Sequence, residues 1–175
     1  MKKSNQAKYA YMAGLIDGEG CISSLIQVSN KDGFSTARVR LRIGQKDGRI
    51  IDWLFGNFGG RIGIHRDMRR DSNSSYMWES PEASRLYGIL KRCLPFFVFK
   101  KRQAELAMQV IEIKATRKGS QRYSSSQWLR LNSLCDELTK LHSVYLTCAA
   151  VETKSTDPII RDAIVRSETN VEVSE

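Results

Sequence analysis

Glu19 is the residue of this 175-residue chain whose surroundings ask most plainly for chemistry. It closes a helical pattern over residues 5–18, and an acid at a helix C-terminus opposes the macrodipole unless a cation offsets it. A bound metal therefore accounts for Glu19 better than a merely solvated side chain does. Asp17 stands two residues earlier and points elsewhere on the helix, so its carboxylate suits a cap on a partner helix or a local hydrogen bond. A second pattern is Arg38, Arg40 and Arg42 at alternate positions. On a strand these three would share one face and repel one another, which calls for an anionic partner. Guanidinium forks match the guanine edge in the major groove. A third feature, Lys100-Lys101-Arg102, is by itself an ordinary basic helix start.

The elements that must position these groups follow from the hydrophobic pattern. The helix over 5–18 has Ser4 or Asn5 as N-cap and ends at Gly18 and Gly20. Ala10, Gly14 and Gly18 recur every fourth residue, a flat seam where another helix could approach closely. An interior glycine costs about 1 kcal/mol against alanine, so such packing is what would offset Gly14. Residues 21–29 form a strand with Ile22, Ile26 and Val28 on one face and Ser23, Leu25, Gln27 and Ser29 on the other. Residues 36–45 form its hairpin partner: Ala37, Val39, Leu41 and Ile43 face inward, and Thr36, Arg38, Arg40 and Arg42 outward. Asn30 to Gly33 makes the turn. A short helix starts at Asp47 and closes at Gly59 and Gly60; a second hairpin, 61–66 and 74–79, brings Arg61, His65, Ser75 and Met77 toward the same outer face. Ser80 and Pro81 open a helix to about Cys93, and further helices cover 100–116, 125–142 and a short stretch from Thr156. The expectation is one mixed α/β domain over residues 1–150, its four strands in one antiparallel sheet, with a C-terminal helix and acidic tail over 151–175.

Charge agrees with an anionic partner. Lys and Arg number 28 against 19 Asp and Glu, and the first 150 residues hold 25 basic against 13 acidic side chains, so the surplus belongs to the folded body. Basic charge alone could equally serve solubility or acidic lipid. Cys21, Cys93, Cys135 and Cys148 form no CxxC pair, which argues against a zinc or redox site and for reduced thiols in an intracellular protein. His65 and His142 have no second ligand at metal spacing. The N-terminus carries no signal-peptide pattern, and no run reaches the roughly 20 apolar residues of a membrane span.

Met12-Ala13-Gly14-Leu15-Ile16-Asp17-Gly18-Glu19-Gly20 resembles the LAGLIDADG motif of homing endonucleases, matching six of nine positions. It departs at Met12, Gly18 and Glu19. Gln45-Lys46-Asp47-Gly48-Arg49 is similar to the Gln-Lys-x-x-Arg stretch of single-motif members, and residues 95–104 are similar to their Pro-Phe-Leu-x-Leu-Lys-x-Lys-Gln-Ala segment. The resemblance covers roughly residues 8–115.

It implies an αββαββα core with a saddle-shaped four-stranded sheet, a homodimer whose motif helices pack together, and Mg²⁺-dependent cutting of long, roughly palindromic double-stranded DNA. The dimer contact would use Ala10, Ala13, Gly14, Asp17 and Gly18. Glu19 and the Gly18 carbonyl would hold the metal, since Mg²⁺ prefers oxygen ligands. Gln45 would position a water, while Lys100 and Arg49 would perturb that water and stabilise phosphate charge. DNA would lie on Ser23, Leu25, Gln27, Ser29, Thr36, Arg38, Arg40, Arg42, Arg61, His65, Ser75 and Met77. Two other classes use the same fold: an intron maturase that binds RNA, and a DNA-binding regulator without catalysis. Glu19, Gln45 and Lys100 together argue against the regulator; the maturase is the closer rival. Host compartment, prokaryotic cytoplasm or organelle, is open at this point.

Overall fold

The computed structural model describes residues 3–28, 35–65, 75–117 and 122–154. Two compact units divide the chain, Met1–Lys140 and Leu141–Glu175. In the second, residues 141–154 are helical backbone, and the acidic tail and the short helix expected from Thr156 lie outside the described residues.

The first unit runs α1 (Lys3–Glu19), β1 (Gly20–Val28), β2 (Ser35–Gln45), α2 (Gly48–Phe58), β3 (Arg61–His65), β4 (Ser75–Glu79), α3 (Ala83–Cys93), a 3-10 turn at Leu94–Phe96, α4 (Lys101–Ala115) and the start of α5 (Ser125–Lys154). One antiparallel sheet has the order β1-β2-β4-β3. The αββαββα order follows the hydrophobic periods, most clearly in β2. Ala37, Leu41 and Ile43 of β2 are fully buried, and so are Ile22 and Trp78 on the neighbouring strands. Met12, Ile16, Leu54, Leu86, Leu90, Leu106 and Leu131 complete the core on the same side. The other face carries the outward residues of the strands, Arg38, Arg40, Arg42 and Glu79 among them.

Two junctions differ from the simple reading, and a third, at Gly59 and Gly60, is as expected. α1 does not stop at Gly18 but continues to Glu19 and passes into β1 with no loop. Gly20 is required at that joint, since a Cβ there would stand 2.7 Å from the Ile16 backbone. Ser80 does not cap α3; Glu82 stands at that N-cap, without a side-chain bond. Ser80 instead prolongs the sheet, donating its N–H to the Leu41 carbonyl at 2.9 Å and accepting from the Leu41 N–H on its hydroxyl at 3.2 Å. Gly59 and Gly60 close α2 with φ of 69° and 99°, a left-handed turn that favours glycine. Cys93 and Cys135 are buried free thiols, and burial pushes Cys93 up to about 12.

Candidate active site and nucleic-acid interface

The end of α1 is the most heavily bonded point of the site. A helix leaves its last four carbonyls without partners, and a glycine turn usually satisfies some of them. Here a tethered cation does so. The Lys100 ammonium donates to the carbonyl oxygens of Ile16, Asp17 and Gly20, each at 2.8 Å, which uses all three of its N–H groups. The Asp17 carboxylate returns the contact, accepting from the Val98 and Lys100 backbone N–H groups at 2.8 Å each. Both its oxygens are thus engaged within its own chain. Burial pushes Lys100 below the usual lysine value, opposed by the charges of Asp17, Cys21 and Glu19. Three carbonyl acceptors still demand the charged form, because a neutral amine has only two protons to give.

Glu19 stands exposed beside this knot, one residue before Gly20. Gly20 pairs with Ile43, so Gln45, two residues further along β2, lies at the same end of the sheet as Glu19. Arg49 begins α2 beside Asp47. The Asp47 carboxylate accepts from the Arg49 N–H at 2.9 Å and from its guanidinium at 2.6–3.0 Å. These bonds from Arg49 hold the Asp47 carboxyl down at about 2 and raise the guanidinium further. Among the described residues, no group of three or more His, Cys, Asp or Glu could hold a metal alone.

The outer face of α1 carries two glycines of the motif. Gly14 and Gly18 are exposed, and a Cβ on either would meet nothing within 4 Å. Ala10 is half-buried beside them. Ala13, expected at the dimer contact, is fully buried with Met12 and Ile16 in the chain's own core. The helix advances about 100° per residue, which turns position 13 away from the 10-14-18 line.

On the open face of the sheet, register places Ser23 opposite Arg40, Leu25 opposite Arg38, Gln27 opposite Thr36, and Arg42 opposite Glu79. Arg61 pairs with Glu79, Met77 with Gly63, and Ser75 with His65, whose side chain, like all of Ser29, is outside the described residues. The arginine row has an anion within the chain. Glu79 lies 3.4, 3.8 and 3.6 Å from Arg38, Arg40 and Arg42. One carboxylate against three guanidiniums lowers their mutual repulsion and leaves the face basic.

No family model matches the chain. The DNA endonuclease I-CreI of Chlamydomonas reinhardtii is 29% identical over 111 residues, and the DNA endonuclease I-CvuI of Chlorella vulgaris 27% over 108. These matches cover 63% and 62% of this chain and 66% of either relative, just under two thirds of their length. Among solved structures, the archaeal intron-encoded homing endonuclease I-Vdi141I, complexed with DNA, superposes with a TM-score of 0.64 at 22% identity, over 78% of this chain and 85% of that one. The LAGLIDADG homing endonuclease I-SmaMI, bound to cleaved DNA, gives 0.55 at 20%, over 72% and 42%. The chain has the fold of the LAGLIDADG homing endonucleases.

Within the LAGLIDADG fold, the motif of this chain divides by helix face. Met12, Ala13 and Ile16 build the core, Gly14 and Gly18 stay outside, and Asp17 ties α1 to the segment before α4. Sequence reasoning missed Glu79 because only cross-strand register brings it to Arg42, 37 positions away in the chain. It also missed Tyr123, whose hydroxyl lies 3.5 Å from that of Thr36 at the outer end of the sheet. The Arg117 guanidinium stands 5.1 Å from the Tyr123 ring, so the α4–α5 connection adds an aromatic and a cation to the face. A tyrosine following closely on Arg117 and Arg122 was the available signal.

Proposed function

We propose that this chain is a site-specific endonuclease of double-stranded DNA that works as a homodimer with a divalent metal, Mg²⁺ by preference. The observation that carries the reading is the arrangement at α1. Its exposed small-residue face ends in an exposed carboxylate, at the edge of a sheet face rich in arginine. Two copies packed on Gly14 and Gly18 would bring two Glu19 carboxylates together, completing the oxygen site that one chain only half supplies. The donor set fits a hard cation: Glu19 and the Gly18 carbonyl would hold it. When bound, such a cation stabilises the attacking and leaving oxygens of phosphodiester hydrolysis. Gln45, at the same end of the sheet, would orient the attacking water. Arg49 would leave Asp47 to meet the charge growing on the phosphate. Lys100 acts as a positioning residue, fixing where α1 ends and so where Glu19 projects. Ser23, Leu25, Gln27, Thr36, Arg38, Arg40, Arg42, Arg61, Ser75 and Met77 would face the major groove, dividing base from phosphate contacts.

The test is a pool of randomised, roughly palindromic duplexes incubated with the protein and Mg²⁺ or Ca²⁺, reading bound and cut molecules separately. Cutting in Mg²⁺ that Glu19→Gln abolishes while binding persists is the expected result. Glu19→Gln cutting at the wild-type rate would refute the site, and binding without cutting in either metal would refute the nuclease.

A further inference from the structure

A cavity of about 470 Å³ opens at the side of the sheet, away from α1. It forms because β4 pairs with β2 only from Arg42 to Gln45 and then departs through Ser80 and Pro81 toward α3. The β2 edge at Val39 is left facing a space bounded by the first turn of α3 and the last turn of α4. Five cations line it: Arg38, Arg40, Arg61, Arg85 and Lys114. Two carboxylates, Glu79 and Glu82, answer them. Glu79 is already divided among three arginines, and Glu82 is paired with Arg85 at 3.0 Å.

Several donors there lack acceptors. The Arg40 Nε is buried and makes no hydrogen bond, since Glu79 at 3.8 Å is too distant. The α3 N-terminus reaches the cavity through Pro81, Glu82 and Ala83 with no side-chain cap on its first amides. Lys114 is pushed below the usual lysine value chiefly by burial and then by the charges of Arg117 and Arg38. A phosphate oxyanion, with several acceptor oxygens, answers these groups, and an apolar ligand answers none.

We infer that this cavity is a phosphate-binding site that holds a backbone phosphate of the duplex just outside the base-reading face. The duplex part of this inference rests on the proposed function. Arg38 and Arg40 belong to both the row and the cavity, so a duplex lying on the row would bring its flanking phosphates to the cavity mouth. Such an interaction sets register along the DNA and carries no base preference.

The experiment compares the full-length protein with Arg85→Ala/Lys114→Met, whose side chains stand off the sheet face, after thermal melting confirms that both fold; Lys114→Gln replaces the double variant if it does not. Two probes are titrated in parallel: cognate and scrambled duplexes in Ca²⁺ over a salt series, and inorganic pyrophosphate by calorimetry in metal-free buffer. The variant should bind both duplexes more weakly by the same factor, roughly tenfold or more, and the log–log salt slope should become shallower by about 1 for each phosphate it no longer neutralises. Pyrophosphate binding should fall with it. Loss of pyrophosphate binding with duplex binding unchanged would overturn the backbone assignment and leave a site for free phosphate. Both probes unchanged would overturn the site itself. A wild type that binds pyrophosphate but no duplex would refute the DNA reading and retain the phosphate site.

Discussion

Replacing Lys100 by methionine removes the cation that closes α1 while keeping most of its methylene stem. Three carbonyls, those of Ile16, Asp17 and Gly20, lose their donor at once. A hydrogen bond to a charged group contributes about 1.5–3 kcal/mol net. The full sum does not apply, because the site is half-exposed and water can reach some of the freed oxygens. The variant is also spared the cost of desolvating an ammonium. A loss of about 2–4 kcal/mol is the expected balance, and for a unit of this size that lowers the melting temperature by roughly 5–15 °C. Chemical denaturation with an unchanged m-value is the assay, run beside cleavage of a bound duplex. A lysine that only touches the scissile phosphate would lose cleavage and keep its stability. A stability change under about 0.5 kcal/mol would therefore refute the capping role, whatever happens to cutting.

Gly14→Ala should stabilise the isolated chain by up to about 1 kcal/mol, because nothing stands near the added Cβ, yet weaken self-association in sedimentation runs. Gly20→Ala should destabilise by about 2 kcal/mol or more, since the Cβ would strike the Ile16 backbone at 2.7 Å; a neutral melt would contradict that geometry. Asp47 has its folded value lowered from 3.8 to about 2, so its bond to Arg49 stabilises fully above the unfolded value and is lost as pH falls through 2. Its carboxyl carbon should accordingly titrate near 2 by NMR in the wild type and higher in Arg49→Ala, though still below the ordinary 3.8 because the backbone N–H of residue 49 keeps its bond. Glu79→Gln should raise affinity for any duplex and steepen its salt dependence, as the arginine row loses its internal anion.

Much of this molecule was legible before any tertiary contact. The order of helices and strands, the arginine row and the 10-14-18 face all rest on periods of two and 3.6 residues, which are local properties of the chain. The nine motif residues pointed to the fold because so few helix ends lead into a strand with that order of small and acidic side chains. What the pattern could not carry was the division of labour inside it. Ala13 and Gly14 are neighbours in the motif, yet one is core and the other surface, which only the packing of α1 on its own sheet decided.

The same holds for the charged groups. Composition and alternation called for an anionic partner at Arg38, Arg40 and Arg42; that Glu79 of the same chain stands among them is decided by the register of β2 with β4. Ser80 has the composition of a helix cap, but the strand edge at Leu41 competed for it and won. Lys100 was marked as a functional lysine by its segment; its three carbonyl partners lie 80 or more positions away along the chain. Types and local periods were determined by the sequence itself, because backbone geometry repeats every few residues. Which charge meets which was decided only by the tertiary structure, because those pairings depend on strand register and helix packing across long separations.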